Sequence, residues 1–219
     1  MKKLIFVVIA TAAILLPFSC KKNKELTIVI EGTIRNEGTF DAAQGVTVKI
    51  KYQEVGSGTI STAYKTIATT TTDANGHYQV SFTKPKASEF RYELSSPYHF
   101  SVETTESADN VSASTTNTRD FTVGAIGWFS VHIKNASPQT IQDQCIYQNT
   151  SEAYGCTGCC SNAAYTFQGT SVDTTVICQR KAGSKIKFNW IVFKGGNNLM
   201  YSDSALVVPF DTTVYNLNY

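Results

Sequence analysis

Hydrophobic and polar residues alternate with a period of two over much of residues 26–123. The alternation is plain in the segments LTIVI, GVTVKIKY and GHYQVSFT, where every second residue is large and apolar. Such a period places apolar side chains on one face of a β-strand and polar side chains on the other. We therefore predict about seven strands here, arranged as a β-sandwich. The polar stretch 103–118 is compatible with either a long loop or a polar edge strand.

The same alternation restarts after a glycine-containing break at residues 124–127. In GWFSVHIKN, Trp128 and His132 fall on the polar face of the predicted strand, and in KIKFNWIVFK, Trp190 falls on the apolar face. Trp190 is therefore predicted to lie in a core, whereas Trp128 and His132 are candidates for a surface contact. Trp128 is expected to be covered by a loop or the other domain, or to stack on a sugar ring. The predicted fold class is all-β, with two consecutive β-sandwich domains, the second at residues 127–219.

Three segments of the first half resemble a known family. They are EGTI at 31–34, GVTVKI at 45–50 and TTTTDANGHYQVSF at 69–82. Together they resemble the carboxypeptidase regulatory-like, or transthyretin-like, β-sandwich domain, over residues 26–123. The turn DANG within the third segment is expected to mark a hairpin, because Asp, Asn and Gly supply the backbone conformations that tight turns need. The resemblance implies an accessory or spacer module.

The amino terminus has the parts of an export signal. Lys2 and Lys3 precede an apolar run at residues 4–16, which only Thr11 interrupts, and a small residue precedes Cys20. The run is 13 residues long, which is shorter than the roughly 20 residues of a membrane-spanning helix. It therefore indicates the hydrophobic region of a signal peptide.

The end of this segment, LPFSC, resembles the lipobox of bacterial lipoproteins, in which a signal peptidase cuts before a lipid-modified Cys. The resemblance implies a signal peptide at residues 1–19, a lipid on Cys20 and a short tether at residues 20–25. An ordinary signal peptide cut nearby and an uncleaved anchor are the alternatives. Lys21 stands where an Asp would retain some lipoproteins in the inner membrane. The resemblance thus implies lipid anchoring in the cell outer membrane, with a periplasmic or surface-facing orientation left open.

The charge balance argues against nucleic acid as a partner. The whole chain has 19 basic and 17 acidic residues, and removal of the two lysines in the signal peptide makes the counts equal. A nearly neutral chain has no basic field that would attract nucleic acid. We expect the membrane, through the lipid anchor, and a protein or glycan of the cell envelope as partners.

Five cysteines follow Cys20, and all of them lie in the second half. They are Cys145, Cys156, Cys159, Cys160 and Cys178. An exported protein meets an oxidising compartment, so disulfides are expected, and five thiols form at most two bridges. The connectivity stays open, but we predict that Cys145 or Cys178 is joined to the CTGCC cluster at residues 156–160. The CxxC spacing within that cluster also permits a metal site or a redox site.

No motif of a known catalytic site occurs in the sequence. The chain lacks HExxH, GxSxG, a phosphate-binding loop and GxGxxG. The histidines His77, His99 and His132 all fall on polar faces of predicted strands and are expected to be exposed. We therefore predict no enzyme activity, no catalytic residue, no cofactor and no metal ligand.

These observations lead to one main functional hypothesis and two alternatives. The main hypothesis is a non-enzymatic, outer-membrane-anchored lipoprotein that acts as a surface or periplasmic binding or spacer module. The first alternative is an adhesive-pilus or assembly subunit that polymerises by strand exchange. The second is a redox or metal-binding protein that uses its cysteines.

Overall fold

The computed structural model describes residues 25–56 and 58–219. The predicted signal peptide and the lipid on Cys20 lie outside these ranges and stay predictions. Within the described ranges the chain forms fifteen strands and one short 3-10 helix. No helix in this part of the chain is long and apolar enough to cross a membrane.

The first half forms two β-sheets that share one hydrophobic core. Its strands are β1 (Thr27–Asn36), β2 (Thr47–Gly56), β3 (Thr59–Thr71), β4 (His77–Thr83), β5 (Ala87–Ser96), β6 (His99–Ser107), β7 (Thr116–Thr118) and β8 (Phe121–Val123), with the 3-10 helix at Ala108–Asn110. One sheet has the order β4-β1-β7, with β8 also paired to β1, and the other has the order β3-β2-β5-β6. Both sheets contribute fully buried side chains, such as Ile30, Val48 and Phe90, to the core between them.

The second half forms another pair of sheets around a separate core. Its strands are β9 (Ile126–Lys134), β10 (Gln144–Asn149), β11 (Ala164–Gln168), β12 (Asp173–Lys181), β13 (Lys185–Lys194), β14 (Asn197–Leu206) and β15 (Thr212–Asn218). The three-stranded sheet has the order β12-β9-β15, and the four-stranded sheet has the order β11-β10-β13-β14. Phe129, Phe188 and Leu217 are among the buried residues that the two sheets enclose. The prediction of an all-β sandwich fold is confirmed.

The sequence alternation matches the burial of the strands. In β1, every second residue from Ile28 to Asn36 is buried, and in β13 the buried positions begin with Ile186 and Phe188. A pleated strand in a two-layer sandwich has one face toward the other sheet and one toward water, so only alternate side chains are buried.

The turn at residues 73–76 is present, but it does not form the predicted hairpin. Asp73 Oδ1 accepts hydrogen bonds from the backbone N–H groups of Asn75 (2.8 Å) and His77 (2.9 Å). The strands on either side, β3 and β4, belong to different sheets and pair with β2 and β1 respectively. The turn therefore carries the chain from one layer of the sandwich to the other. A hairpin turn and a connection between two sheets use the same local turn residues, so the sequence could not distinguish them.

The polar stretch 103–118 contains both of the structures that the sequence left open. Its first residues belong to β6, which is an edge strand of its sheet, and the 3-10 helix and a short loop follow. The last three residues form β7, which pairs in parallel with β1.

The prediction that His99 is exposed is wrong. Its side chain is 6% exposed, and its ring nitrogens lie 2.8 Å from Ser96 Oγ and from Asn36 Oδ1. The ring of Phe210, from the second half, packs edge-on against it at 5.4 Å between centroids. Burial lowers the pKa of His99. Contact between the two halves covers this side chain, and strand alternation carries no information about such contacts.

Candidate functional site

Trp128 and His132 lie on the outer face of the three-stranded sheet but do not form one site. They are four residues apart on β9, which separates them by about 13 Å along an extended strand. His132 Nε2 lies 2.6 Å from Asp173 Oδ1, and Lys134 Nζ lies 2.9 Å from the other carboxylate oxygen. Hydrogen bonds from His132 and then Lys134 lower the pKa of Asp173. This is a solvent-exposed charge cluster of a kind that contributes little to stability because water screens it.

Trp128 is half-buried beside elements of its own sheet. Its backbone N–H donates to Asp211 O at 3.0 Å, and its neighbours in register are Gln179 on β12 and Thr212 on β15. Trp128 is not a member of the core cluster of the second half, which agrees with its predicted place on the polar face.

The five cysteines within residues 25–56 and 58–219 form two disulfides and leave one buried thiol. Cys160 is bonded to Cys178, and Cys156 is bonded to Cys159. Of the two residues predicted to link to the CTGCC cluster, Cys178 forms the link, whereas Cys145 is fully buried in the core and is free. It lies on β10, where its side chain faces the other sheet. Burial raises the pKa of its thiol to about 12, so the thiol stays protonated and unreactive at neutral pH.

The Cys160–Cys178 bridge ties an irregular loop to the edge of the three-stranded sheet. Two backbone hydrogen bonds support it: Cys160 N donates to Gln179 O at 3.0 Å, and Gln179 N donates to Gly158 O at 2.8 Å. Arg180, on the same strand, donates to Glu152 O at 2.8 Å. The loop is therefore held at several points along β12.

The second half also has a cleft, which lies at the edge of the sandwich opposite the cysteine loop. The four-stranded sheet has one strand more than the three-stranded sheet, and around residues 199–201 the inward face of its edge strand β14 is left uncovered. Leu199 and Tyr201 lie on that face and are 52% and 43% exposed. Trp190, on the neighbouring β13, is only half-buried for the same reason. The prediction that Trp190 is a core residue is therefore correct only in part.

We call this feature the aromatic cleft. Its volume is about 410 Å³, and it is lined by Gln139, Trp190, Val192, Lys194, Asn197, Leu199, Tyr201, Asn218 and Tyr219. Trp190 and Tyr201 are partners in register, and their rings are stacked at 5.4 Å with an angle of 17° between planes. Lys194 Nζ lies 5.4 Å from the centre of the Tyr219 ring. An aromatic wall thus meets amide and amine groups in one concavity.

Hydrogen bonds beneath the cleft hold its polar rim in place. Asp143 is 1% exposed and accepts from the backbone N–H groups of Gln139 (2.8 Å) and Thr140 (3.1 Å). Asn135 Nδ2 also donates to Asp143, and Lys194 Nζ donates to Asn135 Oδ1 at 2.8 Å. These donors, with the Gln139 N–H first, lower the pKa of Asp143. The network positions Gln139 and Lys194 at the cleft before any ligand arrives.

Tyr215, on β15, connects the two sheets beside the aromatic cleft. Its hydroxyl donates to Asp203 Oδ2 at 2.8 Å, and its ring packs against Phe188 and Trp190. Burial and then the Asp203 carboxylate raise the pKa of Tyr215 to about 12, so the phenol remains a donor over the physiological range. The bond joins β15 to β14 and limits how far the cleft can open.

The sequence analysis missed the aromatic cleft because β14 does not alternate in a recognisable way. The segment NNLMYSDSAL has apolar residues at three successive positions, 199–201. The sequence KGGN at residues 194–197 could have indicated this strand, since paired glycines and Asn favour a tight hairpin turn between two strands. Within residues 25–56 and 58–219, no group of three or more His, Cys, Asp or Glu side chains is arranged to hold a metal ion.

Comparisons with known proteins identify no family. No family model and no curated protein matches the chain. Among solved structures, a streptococcal ancillary pilin is 13% identical with a TM-score of 0.40, and the match covers 88% of this chain and 62% of the pilin. The TIE protein of Bacillus anthracis is 10% identical with a TM-score of 0.40, over 88% of this chain and 34% of that protein.

The 3-chlorocatechol 1,2-dioxygenase of Rhodococcus opacus is 13% identical with a TM-score of 0.35, over 48% of this chain and 62% of the enzyme. The chain spans less than two thirds of the length of each of these three proteins. At these sequence identities and TM-scores, the similarity gives no basis for inferring what this protein binds or does.

Proposed function

We propose that this protein is a non-enzymatic, lipid-anchored module of the cell envelope whose second sandwich binds a neutral glycan in the aromatic cleft. The observation that carries the proposal is the stacked Trp190–Tyr201 pair at the wall of a cleft of about 410 Å³. That volume lies within the range of roughly 300–1,000 Å³ typical of ligand sites. The first sandwich acts as the spacer between the membrane and the binding domain.

The chemistry of the cleft suits a sugar ring. The carbon–hydrogen face of a pyranose is apolar and packs on an aromatic ring, and its hydroxyl groups require donors and acceptors around that ring. Tyr201 is the solvent-exposed ring of the stacked pair. Gln139, Asn197 and Asn218 each carry an amide that both donates and accepts hydrogen bonds. The cleft also carries Lys194, whose Nζ donates to Asn135 Oδ1. The other polar groups are amides, which bind hydroxyl groups without a charge requirement and so favour a neutral glycan.

Fluorescence of the full chain tests this proposal. The protein has two tryptophans, so a Trp128→Phe background makes Trp190 the only tryptophan reporter. We expect a set of neutral oligosaccharides to include one that changes the Trp190 emission with a saturable dependence on concentration. Tyr201→Ala should weaken that binding by about tenfold or more.

Tyr154→Ala is the matched control, because Tyr154 is similarly exposed, at 39%, but lies in the cysteine loop. It should leave binding unchanged. Equal affinity of the Tyr201→Ala variant and its parent, or no response to any neutral saccharide, would contradict the proposal.

The anchor has a separate test. We expect Cys20→Ser to move the protein from the membrane fraction to the soluble fraction and to abolish labelling by fatty acid. Unchanged fractionation would contradict lipid anchoring but would leave glycan binding in the cleft open to its own test.

An assembly subunit is the second candidate function, and β15 is the observation in its favour. This last strand of the chain forms an edge of its sheet and pairs in parallel with β9 alone. Its Leu217 is 2% exposed, so the strand fills a groove that the same strand of another copy could fill. Strand exchange predicts a ladder of oligomers in detergent extracts, whereas a binding module predicts no ladder.

A further inference from the structure

An amine, a carboxamide and a carboxylate meet beneath the aromatic cleft. Asn135 directly follows β9, Asp143 directly precedes β10, and Lys194 is the last residue of β13. Asn135 and Asp143 are 5% and 1% exposed, and Lys194 is half-buried. Lys194 Nζ lies 2.8 Å from Asn135 Oδ1, and Asn135 Nδ2 lies 3.1 Å from Asp143 Oδ2. The three groups therefore form a continuous chain of contacts at a largely buried place.

Hydrogen bonds fix the orientation of the Asn135 amide. Its Nδ2 donates to two acceptors, Asp143 Oδ2 and Gly169 O, the latter at 3.0 Å. A carboxamide nitrogen has two hydrogens, so both are used, and the oxygen is left to accept from Lys194. A flipped amide would place its nitrogen against an ammonium and its oxygen against two acceptors, which excludes that arrangement. The carbonyl therefore points at Lys194, and the amide nitrogen points at Asp143.

The Lys194 amine is close to the carbonyl carbon of Asn135 as well as to its oxygen. The carbon lies one carbonyl bond of about 1.2 Å beyond the oxygen, so Nζ is at most about 4 Å from Cγ. Reacting atoms that are poised for attack are about 3–3.5 Å apart. Groups held this close can have effective molarities of about 10⁵–10⁸ M, which compensates for the low reactivity of an amide.

We infer that the side chains of Lys194 and Asn135 become joined by an amide cross-link, formed within the folded chain with release of ammonia. The Lys194 ammonium first loses a proton, because only the neutral amine is a nucleophile. The Nζ–Cγ bond forms, and the Cγ–Nδ2 bond then breaks with its electron pair. The ammonium gives up two protons in all, and the leaving nitrogen takes up two and departs as NH₄⁺. Atoms and charge are conserved, and no further reagent is consumed.

Asp143 is placed to move these protons. Its carboxylate contacts the leaving Nδ2 of Asn135, and in the tetrahedral intermediate both nitrogens are bonded to the same carbon. Hydrogen bonds, that from the Gln139 N–H first, lower the pKa of Asp143. The group is therefore ionised at neutral pH, so it can accept a proton from Nζ before it passes one to Nδ2.

Tyr219 covers the reacting groups. Lys194 Nζ lies 5.4 Å from the centre of the Tyr219 ring, and the Tyr219 hydroxyl is buried without a hydrogen-bond partner among residues 25–56 and 58–219. Burial, and then the nearby Cys145 and Asp143, raise the pKa of Tyr219 to about 12, so the phenol stays neutral. The ring limits the access of water, which would otherwise compete with the amine for the carbonyl carbon.

The cross-link connects the two sheets of the second sandwich. β9 belongs to the three-stranded sheet and β13 to the four-stranded sheet, and the joined residues are 59 positions apart. The link also converts the ammonium group at the aromatic cleft into a neutral amide. Its formation does not depend on a ligand in that cleft.

Mass spectrometry of the lipid-free Cys20→Ser full chain tests the cross-link directly. After reduction and denaturation, we expect a mass below that of the sequence by about 17 Da, the mass of ammonia. Trypsin does not cleave after a lysine whose amine is acylated. It should therefore release residues 135–180 joined to residues 188–219, with the second peptide uncut at Lys194.

Variants of the two joined residues identify the bond. Lys194→Arg keeps the positive charge but removes the nucleophilic amine, and Asn135→Ala removes the carbon that is attacked. Both should have the full mass of their sequences and give no joined peptide. Lys187→Arg, at an exposed position on the same strand, is the matched control and should keep the loss of about 17 Da. The mass of the parent decides the question even if a variant does not fold.

Asp143→Asn tests the proton transfer, since it keeps the shape of the side chain but carries no carboxylate. We expect the joined fraction to fall by about tenfold or more in the folded variant, as circular dichroism verifies. Asp143→Glu, which shifts the carboxylate away from Nδ2, replaces it if the former does not fold. A parent of full mass, a gain of about 1 Da from hydrolysis of the amide, or a joined peptide in Lys194→Arg would overturn the inference. Equal joining in the Asp143 variant and its parent would overturn the role of Asp143.

Discussion

Removal of the Cys160–Cys178 disulfide is the perturbation whose effect the structure predicts most directly. The bridge joins residues 18 positions apart, and it anchors a loop with few apolar residues to β12. In the chain-entropy model, closing a loop of this length stabilises the folded state by about 3.2 kcal/mol. The bridge Cys156–Cys159 spans three positions, for which the same model gives about 1.9 kcal/mol.

Paired substitutions avoid leaving a reactive thiol. We expect Cys160→Ala with Cys178→Ala to lower the free energy of unfolding by about 3 kcal/mol, and Cys156→Ala with Cys159→Ala to lower it by less than about 2 kcal/mol. The difference should be larger in practice, because Cys160 is 3% exposed and its loss also removes buried contacts, whereas Cys156 is exposed.

Urea unfolding of the full chain, followed by Trp190 emission in the Trp128→Phe background, measures both effects. With a slope of roughly 1–3 kcal/mol per molar urea for small proteins, the midpoint of the second sandwich should fall by about 1–3 M when the Cys160–Cys178 bridge is absent. An unchanged midpoint, or a larger loss from the Cys156–Cys159 pair, would refute the view that the longer bridge is the main disulfide support of this domain.

Three further predictions concern single residues. Gly76→Ala should lower the free energy of unfolding by about 2–3 kcal/mol, because φ is +74° and a Cβ atom would lie 2.4 Å from Ile34 O, with loss of a backbone hydrogen bond. Gly38→Ala is its control: φ is +89° and the space around a Cβ atom is open, so the same assay should show a loss of only about 1 kcal/mol. The Cys145 thiol, with its pKa raised to about 12, should resist alkylation in the native protein and react fully in denaturant, as mass spectrometry would show. Burial lowers the pKa of His99, so the unfolded state binds more protons than the folded state as pH falls. The contribution of His99 to stability should be complete above about pH 6.5 and decline below it. A His99→Gln variant that keeps the same decline would contradict this assignment.

The sequence by itself determined the positions of most strands and the all-β class. Alternation such as that in Val46, Val48 and Ile50 depends only on the pleat of a strand with one wet face, so it can be recognised without knowledge of the partner strand. The existence of a turn at residues 73–76 was determined in the same way, because Asp, Asn and Gly act on the backbone next to them.

Properties that depend on which surfaces meet were decided only by the tertiary structure. The turn after β3 leads to the other sheet because the apolar face of β4, with Tyr78 and Phe82, is buried there against β1. His99 lies on a formally polar face and is nevertheless covered by Phe210 from the second half. The choice of Cys178 over Cys145 as the partner of Cys160 follows from strand orientation, since the Cys145 side chain faces into the core.

The aromatic cleft depends on the number of strands in each sheet. Trp190 has the sequence environment of a core residue, but it is only partly buried because residues 199–201 of the neighbouring β14 are left uncovered. The number of strands per sheet is set by the pairing of segments that are distant in sequence, such as β15 with β9, and by the total apolar surface that the two sheets can cover. No local pattern around Trp190 or Tyr201 records that number, so the exposure of these side chains could be learned only from the folded chain.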